Sequence, residues 1–111
     1  MSQADTREIL SARQTDLAKG VKAYRTACTD LMDAGQQLYI AGRVMGCIAA
    51  GIGQHPTPAA TASLEAATAF RVAKERQYEE TLRRHDAAQA AIQSARLAIV
   101  QAKDALRAQV A

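Results

Sequence analysis

Every seventh residue from Leu10 to Ile52 is apolar: Leu10, Leu17, Tyr24, Leu31, Leu38, Met45 and Ile52. Seven hits at one spacing fix a heptad repeat, and a repeat of that length is compatible with a long helix and little else. Taken as d positions, they set the a positions at Gln14, Val21, Cys28, Gly35, Gly42 and Ala49. The seam therefore starts with ordinary bulk and loses it toward its C-terminal half. Asp5 is expected to cap this helix, with Glu8 three residues later completing a capping box.

The segment Gly51-Ile-Gly-Gln-His-Pro-Thr-Pro58 is the strongest punctuation in the chain. Its glycines can supply a left-handed C-cap and its prolines forbid continuation. Thr57 can cap a following helix with Pro58 at the first position. The second helix has a clear seam at Ala88, Ile92, Ala95, Ile99, Ala102 and Leu106. Upstream the same spacing gives Tyr78, Thr81 and His85, then lands on Arg71 and Lys74. A change of register is expected near residues 73–78, with Phe70, Ala66 and Ala73 taking over.

Two long helices joined by a short loop form an antiparallel hairpin. The expected fold is all-α: one domain over residues 1–111, with helix 1 about 6–51, turn about 52–57 and helix 2 about 58–109. It is an antiparallel two-helix coiled-coil hairpin, expected to associate into a four-helix bundle or larger helical oligomer. Alanine supports this reading, at 26 of 111 residues, and Trp is absent. With the turn near residue 55, Gly35 is expected opposite Tyr78 and Gly42 opposite Phe70, each glycine receiving a ring.

One seam does not consume the large apolar residues. Ile40, Val44 and Ile48 form a second stripe on helix 1, while Leu97 and Val100 lie off the seam of helix 2. A second stripe asks for a second partner. Between Asp33 and Glu65 the only formal charge is Arg43. This uncharged, glycine-containing tip, with Gly42-x-x-x-Gly46 inside it, is where the chain is expected to meet another protein. The candidate interface residues are Leu38, Tyr39, Ile40, Val44, Ile48, Ile52, Leu97 and Val100. The packing residues are Gly35, Gly42, Phe70 and Tyr78.

Chemistry is poorly provided for. Asp30, Asp33, Glu79 and Glu80 fall on outward heptad positions beside Arg76, Arg83 and Arg84, which fits a solvated ionic face rather than a metal core. Cys28 and Cys47 would lie about 28 Å apart on one helix, too far for a disulfide within it. They lack metal-ligand spacing. His85 falls on the seam, read as a register-fixing polar residue, and His55 falls in the turn. No serine has a plausible base nearby. No catalytic, cofactor-binding or metal residues are assigned, and no enzyme is expected.

The net charge is +3 with interleaved signs, whereas a nucleic-acid binder needs a one-signed stripe. Arg96, Lys103 and Arg107 come closest, with Asp104 among them. No cleavable signal peptide is expected, because residues 1–8 show no positive n-region followed by an apolar run. The apolar run 38–52 is short and contains Arg43, so insertion of that run in a membrane is a rival rather than the main reading.

The length and glycine-containing turn are similar to the small helical hairpins of type VII secretion. That family carries Trp-x-Gly at the turn and Tyr-x-x-x-Asp/Glu near the C-terminus. Here the turn reads Gly51-Ile-Gly53, and Leu82 stands four residues after Tyr78. No family is assigned on these residues. The function expected is non-enzymatic: a structural, scaffold or adaptor protein that self-associates and binds a protein partner, in a virion or secretion machine. The alternatives are a membrane-active hairpin, and a small inhibitor or weak nucleic-acid binder using the basic residues of helix 2. Synthesis in the cytoplasm is expected, with incorporation in a virion or export by a route that needs no signal peptide.

Overall fold

A computed structural model describes residues 2–110. The fold is all-α, with two helices, α1 (Gln3–Gln54) and α2 (Pro58–Val110), joined by residues 55–57 and packed antiparallel. Among the described residues there is no strand.

The helix ends follow local chemistry. The Asp5 amide donates to Ser2 Oγ at 3.1 Å and the Ser2 amide to Asp5 Oδ2 at 3.4 Å. Ser2 is therefore the cap and Asp5 is the reciprocal acid of the capping box. This moves the expected cap three residues earlier and displaces Glu8 from the role. At the other end α1 runs through Gly51 and Gly53, and no described glycine has positive φ. The left-handed cap is not used. The His55 amide still reaches Gly51 O at 3.0 Å, and Pro56 then stops the helix because it has no amide hydrogen. Thr57 caps α2, accepting the Ala60 amide on Oγ1 at 3.0 Å.

The chain divides into two compact units. The terminal unit joins Met1–Cys28 to Arg84–Ala111. In it Ile92 is buried against Gly20, where a Cβ would sit 3.4 Å from Ile92 Cγ1. Thr6 is buried and tied to Gln109. Thr6 Oγ1 accepts from Gln109 Nε2 at 2.8 Å and has Ser2 O and Gln109 Oε1, each at 3.0 Å, as acceptors for its one proton. The buried hydroxyl is thereby satisfied, while Gln109 stays exposed.

The turn unit is Thr29–Arg83. Its most deeply buried residues are Ala41, at 1% exposure, and Ala34 and Thr81, each at 2%. Leu31, Leu38, Met45 and Ile52 are only half-buried. Ala27 is the corresponding buried residue of the terminal unit. The contact is thus centred on the row 27, 34, 41, with the d residues beside it, rather than on the a and d rows equally. Gln14 and Ala49, both a positions, are exposed. The reason is steric, because a methyl at the closest point lets two backbones approach, whereas leucine there would hold them apart.

The register of α2 does not change near residues 73–78. Its inward residues continue without a break from Thr81 and Tyr78 through Lys74, Arg71, Ala67, Leu64 and Ala60. Arg71 and Lys74 keep the spacing because their aliphatic stems can lie on the contact with the charge at its edge. Lys74 Nζ donates to Gln37 Oε1 across the helices at 2.7 Å. Ala66, Ala73 and Phe70 are exposed. Phe70 is therefore not a packing residue. The neighbour of Gly42 is Arg71, whose Nε would lie 3.8 Å from an added Cβ. Gly35 does meet a ring, since its Cβ would lie 3.4 Å from Tyr78 Cε2. Buried Thr81 is satisfied within its own helix, donating to Gln77 O at 2.7 Å.

Two substitutions test this packing by thermal unfolding followed by circular dichroism. Ala41→Leu overfills the closest approach and is expected to destabilise by about 1–3 kcal/mol. Gly42→Ala places its methyl at ordinary contact distance from Arg71, 3.8 Å from Nε, and removes a helix-interior glycine, so it is expected to stabilise by about 0.5–1 kcal/mol. Equal effects of both would contradict the assignment of the contact row.

Candidate interaction surface

The large apolar residues excluded from the alanine-centred contact lie outside it. In the turn unit Met32, Tyr39, Ile40 and Val44 on α1 are exposed at 77%, 66%, 52% and 48%. On α2 of the same unit Phe70 is 54% exposed, and Val72 and Leu82 are also exposed. Leu38, Ile48 and Ile52, expected at the interface, are half-buried and belong in part to the internal contact. Met32 and Phe70 were missed as surface residues. The α2 spacing would have found Phe70, because carrying it unbroken through Arg71 and Lys74 leaves residue 70 outside.

Two faces of the turn unit can be distinguished. On one, Lys74 Nζ bonds Gln37 and lies 5.2 Å from the Phe70 ring centroid. Gln37, Ile40, Val44 and Ile48 share a helix face by their three- and four-residue spacing. This side therefore combines an aromatic ring, a cation held over it and branched aliphatic residues. On the other side Leu38, Tyr39, Gly42, Arg43 and Arg71 line a groove of about 310 Å³. Gly46 has nothing within 4 Å of an added Cβ. The Gly42-x-x-x-Gly46 spacing therefore brings no backbone close within this chain.

The terminal unit carries exposed Leu97 and Val100, at 59% and 54%. Its groove, about 330 Å³, is lined by Val21, Tyr24, Arg25, Gln89, Ile92, Gln93 and Arg96. Beside it the His85 ring packs on Tyr24, centroids 5.1 Å apart and tilted by 41°, while His85 Nδ1 lies 3.1 Å from Asp86 Oδ1. His85 is thus held by a ring and a carboxylate at the edge of the contact. The Cys28 sulfur hydrogen-bonds Tyr24, and its charge at alkaline pH opposes a second one, so the phenol pKa is raised above its ordinary 10.0.

No three His, Cys, Asp or Glu side chains gather as a metal site among the described residues. Both cysteines are thiols, Cys28 half-buried and Cys47 exposed. Asp30, Asp33, Glu79 and Glu80 are all exposed, and Asp33 Oδ2 accepts from Gln37 Nε2 at 2.7 Å. Arg107 pairs with Asp104 at 3.3 Å, which removes one cation from the basic stripe of α2. No described helix is long and apolar enough to cross a membrane. No known protein family matches the chain, and no curated protein matches it.

The Tyr24 assignment has a spectroscopic test. The phenolate absorbance of Tyr24 is expected to appear above pH 10.0, the ordinary phenol value, and Cys28→Ala is expected to bring it down. The sign follows from the raised pKa, since the folded state favours the neutral phenol and is weakened as pH climbs through its titration. Unchanged titration in Cys28→Ala would remove the sulfur as the cause.

Proposed function

We propose that this protein works by protein–protein contact, as a non-enzymatic assembly or adaptor component that self-associates through the turn unit. One observation carries the reading: three large apolar side chains of α1, Tyr39, Ile40 and Val44, stand exposed in a segment whose only formal charge from residue 34 to 64 is Arg43, with Met32 exposed just before it. Solvated helix faces are normally densely charged, and an exposed apolar face with so few charges is a contact surface. Burying an aliphatic side chain such as Ile40 or Val44 is worth about 1.5–3 kcal/mol. A handful of such residues supplies association without any catalytic group.

The scaffold fits this role. Two helices present side chains on rigid elements at fixed spacing, which suits recognition of another helix. Its grooves are shallow spaces between side chains, and the groups beside them serve packing: His85 against Tyr24, Lys74 against Gln37. Membrane insertion by residues 38–52 gains nothing from α1, which lacks a span of sufficient apolar length. A place in a virion or a secretion machine is consistent with a small assembling helical protein and is part of the proposal.

The test replaces Ile40 and Val44 together by Gln and leaves half-buried Ile48 alone, so that the internal contact is spared. Light scattering on a sizing column is expected to show association of the native chain that rises with concentration. The double variant is expected to keep its helicity and lose that association by at least about tenfold. Unaltered association would place the contact elsewhere.

A further inference from the structure

We propose that the outer face of α1 in the turn unit docks an antiparallel second copy of the same chain. The twofold axis crosses at the level of residue 38 on the outer side of α1, between Gln36 and Ile40, and Arg43 of each copy pairs with Asp33 of the other. The inference rests on the reading of this face as a protein contact and names its occupant. The exposed residues from 32 to 44 are Met32, Asp33, Gln36, Tyr39, Ile40, Arg43 and Val44. About position 38 Met32 mirrors Val44, Asp33 mirrors Arg43 and Gln36 mirrors Ile40, while Tyr39 mirrors half-buried Gln37, which is held by Lys74.

Helix periodicity makes the positions symmetric, but it does not dictate the residues on them. Here the outermost pair is apolar with apolar. The next is acid with base, and those are the only two charges in the set. A twofold contact requires that residue i meet j while j meets i. An antiparallel copy of this face supplies an opposite charge for both Asp33 and Arg43. A parallel copy in register would put like charges together.

The local electrostatics favour the same occupant. Arg43 takes part in none of the ion pairs among the described residues. It borders the groove together with Arg71, a second cation, so a carboxylate arriving there is attracted by both. The Asp33 carboxylate is already oriented on one oxygen by Gln37, which leaves the other to accept from a guanidinium. Asp33 and Arg43 are ten residues apart, about 15 Å on a helix. The two reciprocal pairs therefore sit about 7 Å either side of the axis. Helix axes 8–10 Å apart leave an arginine ample reach, and Tyr39 and Ile40 of both copies fill the space between.

Charge exchange tests the pairing in the full chain by sedimentation velocity over a range of concentrations, with helicity checked for each variant. The native chain is expected to be a monomer–dimer equilibrium. R43E and D33R each turn two attractions into two repulsions, and each is expected to raise the dimer Kd by about tenfold or more. Combining R43E with D33R restores opposite charges in exchanged places and is expected to return Kd to within about threefold of native. The pairing is overturned if the native chain is monomeric at every concentration, if the single variants dimerise as the native chain does, or if the combination fails to recover. A dimer weakened by the Ile40 and Val44 replacements but indifferent to R43E and D33R sinks the antiparallel pairing alone. A dimer indifferent to all of them sinks the contact surface as well.

Discussion

The approach of two backbones over alanine at the contact row is the constraint from which the remaining features follow. Ala27 in the terminal unit, and Ala34 and Ala41 in the turn unit, are the buried alanines of the row. A methyl group at the closest point leaves no room for leucine-sized side chains there. Larger residues are displaced to the sides, where Leu31, Leu38 and Met45 are half-buried, or to the outer face, where Tyr39 and Ile40 are exposed. A chain with few bulky residues thus hides its smallest ones and shows many of its largest. This is why a small hairpin carries so much unpartnered apolar surface, and why the surface rather than a cavity carries the functional proposal.

Much of the architecture was legible in the sequence. The heptad from Leu10 to Ile52 gave the long first helix, and Pro56, Thr57 and Pro58 placed the break and the second cap. The Gly35–Tyr78 approach followed from counting outward from the turn. Three features resisted. Ser2 could not be preferred over Asp5 as a cap, because both belong to one capping box and either polar residue satisfies the pattern. The glycines at 51 and 53 were credited with a left-handed turn that the helix does not need, since proline alone ends it. The apparent failure of the α2 heptad at Arg71 and Lys74 came from treating them as charges only. Their stems carry the register past the point where a hydrophobicity count breaks, and that error drew Phe70 inward.

For the interaction surface, Tyr39, Ile40, Val44, Leu97 and Val100 were identifiable as residues that one seam cannot use, and their exposure agrees with that count. Leu38, Ile48 and Ile52 were harder to place because a side chain beside an alanine-centred contact is half in and half out. Met32 gave no signal as an isolated residue. It acquires meaning only beside Asp33 and opposite Val44 and Arg43, an arrangement visible once the outward face is known.

The central claim is that the exposed apolar face of the turn unit is covered by protein when the molecule works. The most direct measurement is relaxation of methyl and ring signals by a soluble paramagnetic agent, in dilute and in concentrated protein. The account predicts that Met32, Tyr39, Ile40 and Val44 become protected on concentration, while Ile92, buried in the terminal unit, is protected at both. Equal accessibility of the four residues at both concentrations would contradict self-association through this face.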